Sequence, residues 1–189
     1  QIVNFSAVSS FILYYDYSIG GKDRPFSWKL YKICLSLQRN LKTNNKKIMS
    51  RPIIAPSLLS ANFLNLRADL EIINSSEADW LHVDIMDGVF VPNISFGFPV
   101  LKQMADLTTK PLDVHLMIVQ PEKFIKEIKD LGTMMMNVHY ETCTHLHRVV
   151  QQIKDAGMKA GVTLNPATPV WVLKDIITEL DMVLLMSVN

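Results

Sequence analysis

Residues 80–88 read WLHVDIMDG, and residues 111–118 read PLDVHLMI. Side chains in an extended chain point alternately to opposite faces. Leu81, Val83 and Ile85 therefore share one face of a strand, and His82, Asp84 and Met86 share the other. In the second stretch Val114 and Leu116 oppose Asp113, His115 and Met117. The apolar face marks each as a buried strand, yet each also presents an imidazole and a carboxylate to its second face. An isolated buried ion is strongly unfavourable even after relaxation. The polar face must therefore be compensated, either by hydrogen bonds between the His and Asp groups or by a cation.

Outward from these two stretches, short apolar runs alternate with amphipathic ones. Strands are expected at Ile53–Leu58, Trp80–Ile85, Leu112–Met117, Met134–His139, Lys159–Leu164 and Met182–Val188. Helices are expected at Asn62–Ile73, Pro99–Leu107, Pro121–Leu131, Thr144–Ala156 and Pro169–Leu180. Pro99, Pro121 and Pro169 sit near helix starts, where a missing N–H is harmless. Gly132 and Gly157 follow helices, as residues that end them usually do. Thr144 is expected to cap the helix carrying Leu146, Val149, Val150 and Ile153.

This alternation predicts parallel β-α-β units with right-handed crossovers. The first connection, SLLSAN, lacks the glycine fingerprint of a dinucleotide-binding open sheet. Polar residues instead end several different strands: Ser57, Asp84, His115, His139 and Asn165. That is how a (β/α)₈ TIM barrel builds its site. The fold class expected is thus α/β, a TIM barrel of which about the first six units are present.

The chain has 189 residues, 49% of them apolar and 20% charged, with a net charge of +1. One globular domain with a sizeable core is expected, and the charge singles out no polyanionic partner. No apolar run approaches the roughly 18 residues of a membrane span. The two cysteines, Cys34 and Cys143, have neither metal-binding nor redox spacing, which fits a reducing compartment.

Residues 1–48 differ in character, with eight Lys/Arg against two acids. The first methionine is Met49, just before the first expected strand. A translated upstream segment with initiation at Met49 is the favoured reading. An organelle transit peptide is the alternative, and the aromatic-interleaved basic composition is only a weak nucleic-acid signal. Residues 1–48 are accordingly placed outside the domain, which is expected to span 49–189.

Were His82, Asp84 and His115 to converge at a barrel mouth, they would form a His₂–carboxylate set suited to Zn²⁺, Fe²⁺ or Mn²⁺. The competing reading is a buried His–Asp network without metal, and the residues alone leave both open. Methionine is commonly core filler, but Met86, Met117 and Met186 come from three strand ends and could lid the site. His139 receives no role from the sequence. His145 and His147 are expected at the surface, and the run at 134–136 as buried strand. A bound divalent cation chelating a ketone and its neighbouring hydroxyl would stabilise an enediolate. Asp84 could then remove the proton between them, a form of help that contributes about 10²–10⁴-fold.

IIAPSLLSANF, LHVDIMDGVFVPNISFG, PLDVHLMI, AGVTLNPATP and MVLLMSVN together resemble the ribulose-phosphate 3-epimerase family, almost continuously from Ile53 to Asn189. The resemblance implies a metal-dependent barrel interconverting D-ribulose 5-phosphate and D-xylulose 5-phosphate. It implies one divalent cation (Zn²⁺, Fe²⁺, Mn²⁺ or Co²⁺) held by His82, Asp84 and His115, three of the family's four ligands. It also gives Asp84 as one of two acid/base aspartates, Ser57 and His115 as substrate contacts, and Met86, Met117 and Met186 as an apolar cap. Asp87 falls on the other parity and is expected to shape its loop. The family's second aspartate and its phosphate-binding glycine loop would lie beyond Asn189. The 189 residues alone are therefore expected to be poorly stable and nearly inactive as an epimerase.

A 3-epimerase of another ketose phosphate is the nearest alternative. A decarboxylase on a related barrel is disfavoured, because the carboxylate–lysine array it would use is missing from these strand ends. A truncated, inactive product with a structural or interaction role is the non-enzymatic alternative. No nucleic-acid or membrane partner is expected, and homo-oligomer formation stays open. The expected location is cytoplasmic, or plastid if residues 1–48 are a transit peptide.

Overall fold

The structure, a computed structural model, describes residues 53–186. Residues 1–48, Met49 and the last residues of the strand expected to reach Val188 lie outside the described residues. Five parallel strands form one sheet: β1 (Leu81–Met86), β2 (Leu112–Met117), β3 (Met135–His139), β4 (Lys159–Leu164) and β5 (Met182–Leu185). Their spatial order follows their order in the chain. Each crossover therefore steps one strand in the same direction, with no reversal of the kind that defines a doubly wound sheet. The fold is α/β and consistent with a partial barrel.

Among the described residues, α1 (Leu66–Ser75) precedes β1, and α2 (Phe98–Leu107), α3 (Ile125–Asp130) and α4 (Leu146–Asp155) lie between successive strands from β1 to β4. Their apolar stripes cover one face of the sheet. Leu70 and Ile73 of α1, Leu101 and Met104 of α2, Ile128 of α3, and Val149, Val150 and Ile153 of α4 pack in one cluster with Leu81, Val83, Val114, Leu116, Val138 and Val162. Each such buried aliphatic side chain contributes about 1.5–3 kcal/mol of transfer free energy. Gly132 and Gly157 follow α3 and α4 with φ of +74° and +83°, where a Cβ would be strained.

Several elements depart from expectation. Ile53–Leu58 is not a ladder strand. Its carbonyls at Ile54 and Pro56 accept from Trp80 and His82 N–H, and one parallel bridge joins Ser57 to His82. Pro56 has no N–H to return, and the chain turns into a 3₁₀ segment at Leu58–Ser60. Thr144 does not cap α4. The first intrahelical bond runs from Val149 N–H to the His145 carbonyl, so the cap position falls one residue later.

The helix expected over Pro169–Leu180 is two 3₁₀ segments, Val170–Leu173 and Ile177–Glu179. Val170, Val172, Ile176, Ile177 and Thr178 are β-branched, which weakens helix propensity. The helices expected at Asn62 and Pro121 likewise open with 3₁₀ turns, Phe63–Asn65 and Pro121–Phe124.

Candidate active site and metal centre

The sheet face turned away from the helices carries the alternate residues. Parallel register sets His82 beside Asp113, Asp84 beside His115 and Met86 beside Met117. It then sets His115 beside Asn137, and Asn137 beside Gly161. His82, Asp84, Asp113, His115, Asn137 and His139 are all at most 2% exposed. Such a density of buried polar groups persists only when the groups satisfy one another.

They are joined in a continuous network, in which Asn137 Oδ1 is a buried atom with no hydrogen-bond partner among the described residues. His82 Nδ1 lies 2.7 Å from Asp113 Oδ2, and its Nε2 lies 3.2 Å from Asp84 Oδ1. His115 Nδ1 reaches the same Asp84 oxygen at 3.0 Å. Ser57 donates its hydroxyl to the other oxygen, Asp84 Oδ2, at 2.5 Å. Asn137 Nδ2 donates to Asp113 Oδ1 at 2.5 Å. Gly161 makes that position fit, because a Cβ there would fall 1.6 Å from Asn137 Oδ1.

Burial alone would drive the His82 proton off, but Asp84 and Asp113 hold it on and lift the imidazole to about 10. Burial would raise Asp84, yet His82 and His115 hold that carboxyl well below the usual carboxylate range. A positive charge thus belongs between these carboxylates, and a proton supplies it when no cation does. Donor atoms of His82, Asp84 and His115 lie within 4.8 Å of one another, so a single ion can touch all three. The set is two imidazoles and a carboxylate, with Asp113 bonded to the far nitrogen of His82. That carboxylate–histidine arrangement is how metal-ligating imidazoles are commonly oriented, and the residues fit a first-row divalent cation.

Met86 and Met117 stand side by side at the ends of β1 and β2. Met186 follows β5 and packs against the cluster of Met135, Met182 and Leu184. Asp87 points elsewhere: its Oδ1 accepts from Val89 and Phe90 N–H, and its Oδ2 from Val119 N–H at 2.8 Å. His145 and His147 are exposed. Cys143 is a free thiol that burial pushes up to about 12, so it is unreactive at neutral pH.

The sequence reading put Asp113 on the polar face without a site role, left out Asn137, Glu141 and Gly161, and gave His139 no role. His139 Nε2 lies 2.9 Å from His115 Nε2, and its Nδ1 lies 3.2 Å from Glu141 Oε2. Phe90 stacks obliquely on the His139 ring with centroids 4.6 Å apart. Burial and the neighbouring His115 push His139 down to about 4, so its ring is neutral at physiological pH. A signal was present in NVHYE, where Asn137, His139 and Glu141 recur at every second position. Gly161 carried none, since only the neighbouring Asn137 explains it.

Comparison with known proteins agrees with this geometry. Residues 53–189 match the model of the ribulose-phosphate 3 epimerase family. Ribulose-phosphate 3-epimerase of Bacillus subtilis is 47% identical over 136 residues, covering 72% of this chain and 63% of that protein. That of Synechocystis is 45% identical over 139 residues, covering 72% and 60%. The chloroplastic ribulose-5-phosphate-3-epimerase of Arabidopsis thaliana is 47% identical over 139 residues, covering 72% and 50%. The matched part of the chain thus spans between half and 63% of these relatives. The chain belongs to the ribulose-phosphate 3 epimerase family.

Proposed function

We propose that this chain supplies the first proton-transfer group and three cation ligands of a 3-epimerase that interconverts D-ribulose 5-phosphate and D-xylulose 5-phosphate. The observation that carries the reading is Asp84, buried between two imidazoles in a cluster able to hold one ion. His82, Asp84 and His115 would hold the divalent cation. When bound, that cation supplies Lewis-acid stabilisation of the negative charge developing on the substrate oxygens. Which of Zn²⁺, Fe²⁺, Mn²⁺ or Co²⁺ serves is a matter for metal analysis of the isolated protein.

Asp84 takes the proton from carbon 3. The two imidazoles keep it ionised, with its oxygens free of a proton, and Ser57 fixes the carboxylate through Oδ2. Ser57 and His115 lie on the site side of the sheet, where they can contact substrate oxygens. Met86, Met117 and Met186 are assigned the apolar cap, which would limit water around the charged intermediate. Residues 49–189 are the domain portion in this reading. The protein acts in the cytoplasm, or in a plastid if residues 1–48 direct it there. No helix among the described residues is long and apolar enough to cross a membrane.

Inversion at carbon 3 needs a second group on the opposite face, and Asp84 serves only one. Proton exchange at carbon 3 is therefore the step that reads Asp84 by itself. The test is deuterium uptake at carbon 3 of D-ribulose 5-phosphate in D₂O with added Co²⁺ or Mn²⁺, followed by NMR. Asp84→Asn should slow uptake by about 10²-fold or more. Equal uptake by the variant would overturn the assignment. A six-carbon ketose phosphate run alongside tests the substrate length.

A further inference from the structure

Behind the three candidate ligands runs a chain of hydrogen bonds that their own roles do not require. It passes from His115 Nε2 to His139 Nε2 at 2.9 Å, and from His139 Nδ1 to Glu141 Oε2 at 3.2 Å. It ends where Glu141 Oε1 accepts from Asn165 N–H at 2.9 Å and from the Thr168 hydroxyl. His139 is wholly buried, so its ring nitrogens are confined to these partners.

The direction of this chain follows from donor and acceptor chemistry. An ionised carboxylate only accepts, so His139 Nδ1 must carry the hydrogen that faces Glu141. In a neutral ring the other nitrogen, Nε2, is then the acceptor. The hydrogen between the two imidazoles therefore belongs to His115 Nε2. That leaves His115 Nδ1, the nitrogen 3.0 Å from Asp84, as the ring atom whose lone pair can face a cation.

We propose that Glu141 and His139 are a positioning pair that sets the tautomer of His115 and thereby selects Nδ1 as its ligand atom. The inference rests on the metal reading given above. It parallels the Asp113–His82 contact, with one more imidazole inserted between carboxylate and ligand.

Glu141→Gln gives the sharpest test, because it should reverse the chain. Oε1 is committed to two donors, Asn165 N–H and the Thr168 hydroxyl, so the new amide nitrogen would face His139 Nδ1. It would donate there, move the His139 hydrogen to Nε2, and force a hydrogen onto His115 Nδ1 within the metal site. Glu141→Ala removes the bias without reversing it, although it also cuts both ties to the loop after β4. A role in positioning predicts that zinc binds more weakly to Glu141→Gln than to Glu141→Ala. A merely structural role predicts the opposite order, since glutamine is nearly isosteric with glutamate.

The experiment is Zn²⁺ titration of the full chain and both variants, with ¹⁵N NMR of ring-labelled histidines. Expected are a loss of about 10- to 100-fold in zinc affinity for Glu141→Gln, a smaller loss for Glu141→Ala, and His115 bound through Nδ1 in the zinc form. The metal-free wild-type chain should show His139 protonated at Nδ1. Zinc binding by Glu141→Gln at wild-type strength, or His139 protonated at Nε2, would overturn the relay while the metal reading stands. Failure of the wild-type chain to bind zinc would overturn the metal reading and the relay with it.

Discussion

The two faces of one sheet obey different rules. Toward the helices, Leu81, Val83, Val114, Leu116, Val138 and Val162 interlock with α1–α4 in one apolar cluster. On the other face, one residue along the same strands, lie three imidazoles, two carboxylates and an amide, equally inaccessible to water. The helix-covered face stabilises by the area it removes from water. The other face gains nothing comparable, since desolvating charges offsets most of their attraction. The fold is held by one face and the chemistry is placed on the other, so damage to each should show in a different measurement.

The largest effect on stability is expected on the helix-covered face. Ile153 of α4 is fully buried in the main cluster. Ile153→Ala should lower the unfolding free energy by about 2–5 kcal/mol in urea titration. Zinc affinity per folded molecule should stay unchanged. A variant that keeps its stability but loses zinc would break the division between the faces. Gly161→Ala tests the other face with a single methyl group. The added Cβ displaces Asn137 from Asp113, and Asp113 in turn orients His82. Overpacking of this kind costs about 1–3 kcal/mol, and here zinc affinity should fall as well. Full retention of zinc binding would mean that Asn137 has no hold on the site.

The two faces were also unequally legible in the sequence. Period-two alternation in WLHVDIMDG and PLDVHLMI was enough to put His82 with Asp84, and Asp113 with His115, on one side of each strand, because strand geometry allows nothing else; the register then joined the two pairs. Helices were harder, since their ends depend on partners. Thr144 looked like a cap until the His145 carbonyl took the first helical bond. The β-branched run after Pro169 looked amphipathic yet made only 3₁₀ turns. Residues whose meaning lies across strands were hidden. Gly161 matters because Asn137 is its register neighbour, and His139 because its ring reaches the ring of His115. No pattern along a single chain segment encodes a neighbour 24 residues away.

At the rim between the two faces, Asp87 offers the smallest and most local test. Its side chain accepts from Val89 and Phe90 N–H through one oxygen and from Val119 N–H through the other, tying the loop after β1 to the end of β2. Slight burial opposes its charge, but these backbone hydrogen bonds prevail and lower the carboxyl from its ordinary 3.8. A carboxylate with a lowered pKa contributes stability that is fully present above its unfolded value. That contribution is lost as pH falls through the lowered folded value. Asp87→Asn keeps an oxygen for Val89 and Phe90 but turns an amide N–H toward the Val119 N–H. At neutral pH it should cost about 1 kcal/mol or less, since the group is partly exposed. Below pH about 4 the difference between variant and wild type should shrink toward zero. Hydrogen exchange gives the finer reading: the Val119 amide should lose protection while those of Val89 and Phe90 keep theirs. Uniform loss across all three would show that the carboxylate holds the loop by its charge alone, with no division of labour between its two oxygens.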